Sequence, residues 1–159
     1  MAILSDKQII SLVKEENIII EPFNSKNLTP NGYDLTINEI EIPGDEKVTG
    51  GHLMIPAGER FAISTKEIIS CGENHCAQLW LRTSWARKGI MCSFGKIDSG
   101  FKGNLTLLSF NSSKEEVKIE TGNTFAQIIF EELTNSAKKL YAERSGNYQN
   151  QDGVTWSKE

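Results

Sequence analysis

Hydrophobic and polar positions along this chain change period early. Ile9, Ile10, Leu12 and Val13 follow Ser5-Asp6-Lys7-Gln8, in which a Ser is answered by a Gln three residues on. That is a capping box ahead of a helical apolar stripe, and it predicts a helix over roughly 6–16. From there the spacing becomes short and extended. Ile18 to Ile20 is β-branched and stops at Pro22. After the turn signal Thr29-Pro30-Asn31-Gly32, the run Tyr33-Asp34-Leu35-Thr36-Ile37 alternates strictly, with Tyr33, Leu35 and Ile37 on one face and Asp34 and Thr36 on the other. Further strands are expected at 53–55, 61–64, 78–82, 90–93, 105–110, 117–119 and 125–133. Turns at Pro56-Ala57-Gly58, Asp98-Ser99-Gly100 and Thr121-Gly122-Asn123 separate them. Many short strands with regular turns predict a mainly β protein, an antiparallel barrel or jelly roll with a short N-terminal helix.

The pattern fades past Leu133. The expected organisation is one β domain over 1–133 and a C-terminal arm over 134–159. The polar stretch from Ser145 reads either as a frayed end or as a lid that orders over a ligand. At 159 residues the chain is long enough for a core without staples. A net charge of -4 argues against a broad cationic surface for nucleic acid. No apolar stretch approaches a membrane span, and the N-terminus lacks a signal-like apolar region. The expectation is a cytoplasmic protein with no nucleic-acid or membrane partner. Three cysteines, Cys71, Cys76 and Cys92, without framework spacing suit a reducing compartment.

The candidate chemistry lies in three stretches. In Leu81-Arg82-Thr83-Ser84-Trp85-Ala86-Arg87-Lys88-Gly89, a strand gives way to a short helix near Ser84, gathering hydroxyls and two arginines where an oxyanion or triphosphate could bind. A capped helix with solvated charges fits this stretch equally. In Lys96-Ile97-Asp98-Ser99-Gly100-Phe101, Asp98 sits at a tight turn that an ordinary Asx turn also explains. Gln127 is a lone amide in an apolar strand, so it belongs to a buried network or a ligand contact. Zinc deaminase spacing is missing: neither His52 nor His75 opens H-x-E, and no C-x-x-C occurs. The phosphate loops G-x-x-x-x-G-K-[ST] and G-x-G-x-x-G are also missing.

Taken in order, these stretches resemble the dUTPase / dCTP deaminase family. The likeness rests on Asn31-Gly32-Tyr33-Asp34-Leu35, on Arg82 to Gly89, on Ile97 to Gly103 with Phe110-Asn111, on Gly122 with Ala126-Gln127-Ile128, and on Asn147 to Gly153. Leu4-Ser5-Asp6-Lys7 and the Ala86-Arg87 pair lean to the deaminase branch. The resemblance implies a distorted β-barrel, a homotrimer with active sites at subunit interfaces, and Mg²⁺ held through the nucleotide phosphates rather than directly by protein ligands. It implies Asp98 as general base, and Arg82, Thr83, Ser84, Arg87 and Gln127 on the phosphates. Phe101, Ile97 and Phe94 would surround sugar and base, with Phe101 excluding a 2′-OH. Tyr141, Tyr148 and Gln151 would form the lid, with Asp34 in support.

The chain departs from the deaminase pattern at Leu108, where the deaminases carry an essential Glu. Water attack on cytosine C4 needs a group that takes a proton and hands it on, which leucine cannot do. The dUTPases carry an apolar residue there and keep the Asp. The segment from Gly89 to Asp98 is about two residues shorter than the family pattern, in the hairpin whose own N–H and C=O groups read the pyrimidine edge. Asn147 stands where the deaminase lid usually has Lys. The sequence therefore reads as a deaminase-type scaffold with a dUTPase-type catalytic set that hydrolyses dUTP to dUMP and pyrophosphate. The alternatives are zinc-independent dCTP deamination and a nucleotide-binding homologue without turnover.

Overall fold

A computed structural model describes residues 2–45 and 47–158 of the chain. Helix α1 spans Asp6–Lys14, and its capping box is formed as the sequence predicts. It ends two residues before the expected Glu16 because Glu15 caps it and Glu16 turns to a φ of 58°. The single-turn helix α2 covers Thr83–Ala86.

The strands are β1 Ile18–Glu21, β2 Leu28–Thr29, β3 Gly32–Glu41, β4 Lys47–Thr49, β5 His52–Ile55, β6 Arg60–Thr65 and β7 Ile68–Cys71. They continue with β8 His75–Leu81, β9 Ile90–Cys92, β10 Lys96–Ile97, β11 Lys102–Gly103, β12 Thr106–Asn111, β13 Val117–Glu120 and β14 Thr124–Glu132. Every strand predicted from the alternating pattern is present. Strands β2, β4, β7, β10 and β11 were not expected. Most are two or three residues long, too short for an alternation to register.

The main sheet runs β10-β8-β14-β3-β6-β12-β9, with β2 and β4 also paired to β3. Its pairings are antiparallel and it curls into a half-barrel. Smaller sheets, β1-β7-β11 and β13-β5, complete the wall. Inside lie Tyr33, Leu35, Ile37 and Ile40 of β3, Phe61 and Ile63 of β6, and Phe125, Ile128 and Phe130 of β14, all essentially inaccessible. Phe125 meets Phe61 edge-on at 6.3 Å and Trp85 at 5.5 Å between ring centroids. Gly32 opens β3 at a point where a Cβ would lie 2.6 Å from the Ile128 carbonyl oxygen, so no larger residue lets β14 close against it.

Strand β3 changes parity midway. Its pairing with β6 shifts register between Ile37 and Glu39. Odd-numbered residues face the core up to Ile37, but beyond the bulge it is Ile40 that is buried, and Glu39 and Glu41 face outward. One extra residue in a strand re-aims everything after it.

The arm is neither frayed nor detached. The Asn150 N–H donates to the Lys102 carbonyl and the Asn104 N–H to the Gln151 carbonyl, extending the backbone network of the body into the arm. Tyr148 packs against the core, and Gly153 is buried. The polar groups of the arm are spent on hydrogen bonds to the body.

Glu67 is a buried carboxylate that accepts a 2.9 Å hydrogen bond from the Thr36 N–H. Burial raises its pKa, and the Thr36 bond offsets only part of that. The folded chain therefore holds this proton to higher pH than the unfolded chain does. Stability drains away as pH rises from the ordinary Glu range through the raised folded value. Glu67→Gln keeps an acceptor for Thr36 and removes the titration. Urea unfolding between about pH 4 and pH 7 should give a flatter stability profile for the variant than for wild type.

Candidate functional site

Asp98 follows β10 at the head of a tight turn. The Phe101 N–H donates to the Asp98 carbonyl at 3.1 Å, Gly100 takes a φ of 81°, and the Ser99 hydroxyl donates to the His75 carbonyl at 2.7 Å. The turn is thus bolted to β8, while the Asp98 side chain stays exposed. It opens on a cleft of about 410 Å³ whose walls include Ile97, Phe101, Leu108, Tyr141, Tyr148 and Gln151. Phe101 and Tyr141 stack edge to face at 5.6 Å, and the Tyr141 hydroxyl accepts from the Tyr148 N–H at 3.1 Å. Gln151 donates its amide to the Asn104 carbonyl. A Cβ on Gly103 would sit 3.0 Å from the Gln151 nitrogen, so this glycine lets the arm lie close. Asp98 is the one carboxylate among the described residues lining the cleft. Leu108 is 47% exposed and lines the same space.

A second cluster forms where β8 ends. Asp34 and Gln127 are cross-strand partners, as are Gln127 and Trp80, so the three form one row across β3, β14 and β8. Arg82 pairs with Asp34 at 3.3 Å. Burial raises the Asp34 pKa, and Arg82 pulls it part of the way back. Gln127 donates to the Thr29 hydroxyl at 2.8 Å, which gives the lone amide a place in a local network. Thr83, Ser84 and Arg87 are exposed on α2 and its C-terminal edge. Trp85 turns the other way and donates its indole N–H to the Thr124 carbonyl at 2.9 Å, fixing α2 to β14. Two arginines, two hydroxyls and an amide in one region make a surface suited to an oxyanion.

The two clusters are far apart in one chain. Ile97 pairs with Ala77, which sets Asp98 level with Cys76. From Cys76 to Arg82 along β8 is about 20 Å at the rise of an extended strand. The structure joins Asp98, Ile97, Phe101, Tyr141, Tyr148 and Gln151 in one place, and Asp34, Arg82 and Gln127 in another, with Thr83 and Ser84 following Arg82 on α2 and Arg87 at its far end, on a cleft with Lys88 and Ser113. Phe94 joins neither: it lines an adjacent cleft with Trp80 and Met91. That cleft adjoins the one at Asp98, and the two share Leu79, Gly95 and Lys96.

Sequence reasoning passed over Lys96, Thr106, Thr155 and Ser157, which also line the Asp98 cleft. Lys96 opens the Asp98 stretch but drew no role there, and Thr106 lies just past the third motif; Thr155 and Ser157 carried no signal. Cys71 and Cys76 are buried and Cys92 is partly buried. Burial pushes the Cys71 thiol well up and Cys92 to about 11. Among the described residues no His, Cys, Asp and Glu side chains gather in a group of three that could hold a metal ion.

Trp80, Met91, Leu108 and Phe110 are large apolar side chains on the outer surface, 57%, 60%, 47% and 41% exposed. Met91 and Phe110 are direct cross-strand partners. No helix of the described residues is long and apolar enough to cross a membrane.

The chain is thus a β half-barrel with a carboxylate cleft and a separate arginine-hydroxyl cluster. The model of the dCTP deaminase-like family matches residues 3–43 and 37–133, and the chain belongs to that family. It is 38% identical over 147 residues to the dCTP deaminase of Thermococcus gammatolerans, covering 91% of this chain and 92% of that one. It is 35% identical over 160 residues to the probable deoxyuridine 5'-triphosphate nucleotidohydrolase of Sulfolobus islandicus rod-shaped virus 1, covering 99% of each. Among solved structures, the Agrobacterium tumefaciens dCTP deaminase matches with a TM-score of 0.68 at 17% identity, covering 83% of this chain and 49% of that one. The EIAV dUTPase matches with a TM-score of 0.54 at 22% identity, covering 79% and 92%. These two likenesses bear on the fold.

Because Leu108 is half exposed on the cleft wall, a charge there meets water. Leu108→Glu should shift unfolding free energy by no more than about 0.5 kcal/mol in a urea titration. A loss above about 2 kcal/mol would mean the side chain is packed.

Proposed function

We propose that the chain hydrolyses dUTP to dUMP and pyrophosphate. The observation that carries this reading is the Asp98 cleft, which among the described residues offers a single carboxylate and has Leu108 in its wall. Hydrolysis of a phosphoanhydride needs one base. Asp98 takes a proton from water as its oxygen attacks the α-phosphorus, and the bond to the β-phosphate bridging oxygen breaks to release pyrophosphate. The remaining work is electrostatic. Arg82, Thr83, Ser84, Arg87 and Gln127 hold the phosphate oxygens and absorb developing charge. Mg²⁺ bound through those phosphates would neutralise part of the triphosphate, and Asp34 supports the clamp through Arg82. Phe101 stacks on the deoxyribose and disfavours a 2′-OH, Ile97 borders the nucleoside, and Tyr141, Tyr148 and Gln151 cover it.

The base and the clamp lie about 20 Å apart along β8, too far for both to serve one nucleotide within a chain. The reading therefore includes a symmetric assembly, a homotrimer, in which the clamp of one copy meets the cleft of the next. The exposed apolar side chains Trp80, Met91 and Phe110 supply a surface for such packing.

The second reading is dCTP deamination. It is favoured by the relatives, most of which are named dCTP deaminase, such as those at 38% and 39% identity. Against it stands the chemistry of the cleft. Removing ammonia from cytosine C4 needs a proton taken from water and another delivered to the leaving amine, and no second carboxylate lines the cleft beside Asp98 among the described residues.

Asp98→Asn keeps the shape and removes the base. Pyrophosphate release from dUTP should fall by at least about 10²-fold, with nucleotide affinity retained. Turnover near wild type would remove Asp98 from the mechanism. Ammonia released from dCTP by the unmodified protein at a rate matching or exceeding pyrophosphate release would establish the second reading instead. Light scattering should give about three times the 17.7 kDa chain mass; an active monomer contradicts the shared site.

A further inference from the structure

The last residues of the arm run across the outer face of the main sheet, beyond the segment that covers the cleft. Thr106 of β12, Ser64 of β6 and Glu39 of β3 are successive cross-strand neighbours and form a polar row. The arm lies along this row. The Thr155 N–H donates to the Thr106 hydroxyl at 2.9 Å, and that hydroxyl donates to the Gly153 carbonyl at 3.4 Å. The Val154 N–H donates to Glu39 Oε2 at 2.8 Å, and the Trp156 indole N–H to Glu41 Oε1 at 2.6 Å.

Both carboxylates are mostly covered, with side chains 16% and 17% exposed, and Lys47 lies 3.4 Å from one and 4.0 Å from the other. Ser64 donates to Glu39 at 3.4 Å, and the Arg60 guanidinium lies over the Trp156 ring at 5.8 Å. Gly153 has a φ of 66°, and a Cβ there would fall 2.6 Å from Glu39 Oε2. The glycine is what lets the chain come down onto the carboxylate.

This contact bears on the cleft because the arm serves both surfaces at once. Trp156 turns to Glu41, while its neighbours Thr155 and Ser157 line the Asp98 cleft, as do Tyr148 and Gln151 upstream. Releasing Val154 and Trp156 frees the end of the segment that walls the cleft. The bulge in β3 is what points Glu39 and Glu41 to this side.

We propose that Glu39 and Glu41 are positioning residues for nucleotide binding: they latch Val154 and Trp156 and so hold the arm's Tyr148, Gln151, Thr155 and Ser157 over the Asp98 cleft. The activity readout rests on the proposed function; the latch itself does not. Hydrogen exchange of the Val154 amide in the nucleotide-free full-length protein reads the latch directly, and KM and kcat for dUTP and dCTP read its consequence.

A hydrogen bond to a charged acceptor is worth about tenfold or more in an equilibrium. In the Glu39→Ala, Glu41→Ala double variant, Val154 should exchange at least about tenfold faster. KM should rise about tenfold with a smaller change in kcat. Glu39→Gln with Glu41→Gln keeps both acceptor oxygens and should restore most of the protection and the KM. Trp156→Phe, which leaves β3 untouched, should raise KM from the arm side. Unchanged Val154 protection in the alanine variant overturns the latch, and a released arm with unchanged KM overturns its positioning role. If the wild type turns over neither nucleotide, the proposed function fails, and the exchange result alone decides the latch.

Discussion

The register of β3 is the constraint on which the rest of the molecule depends. It carries pairings to β2, β4, β6 and β14, so the two halves of the sheet are joined through it. Its inward side chains supply the centre of the core, and Gly32 at its start permits the close approach of β14. Its outward side chains do separate jobs. Asp34 faces Arg82 before the bulge, and Glu39 and Glu41 face the arm after it. A slip of one residue would exchange inward and outward faces and disable both.

Much of this was legible in the residues. The alternation of Tyr33, Leu35 and Ile37 against Asp34 and Thr36 is how β3 is built, and the Ser5–Gln8 capping box starts α1 where expected. The bulge after Ile37 was not legible, because an inserted residue looks like a lapse in the pattern, and only the partner strand defines it. The short strands stayed hidden for a related reason: β10 and β11 exist through pairing with β8 and β7, not through any period of their own. The arm was hardest to read. Its polar composition fits a loose tail as well as a docked one, and what distinguishes them is the partner set, Glu39, Glu41, Asn104 and Thr106, which lies far away in sequence.

The site residues show the same division. Stretches apart in sequence place Asp98, Phe101, Tyr141 and Tyr148 on one cleft, and set Arg82 against Asp34 beside Gln127. Adjacency in motifs said nothing of the distance between the two groups. Leu108 gains meaning only in three dimensions, where it faces the cleft of Asp98 as a half-exposed side chain. This chain's relatives include both dCTP deaminases and a probable deoxyuridine 5'-triphosphate nucleotidohydrolase.

The central claim is that one nucleotide site is assembled from two copies, the carboxylate of one and the arginine cluster of another. Subunit mixing tests it most directly. Asp98→Asn and Arg82→Ala chains, each inactive alone, are unfolded, combined in equal amounts and refolded together, and pyrophosphate release from dUTP is measured. The account predicts that activity returns in the mixture, because some interfaces then pair an intact Asp98 with an intact Arg82. A mixture as inactive as its components, with mixed oligomers present, would contradict it and place base and clamp in the same chain's site.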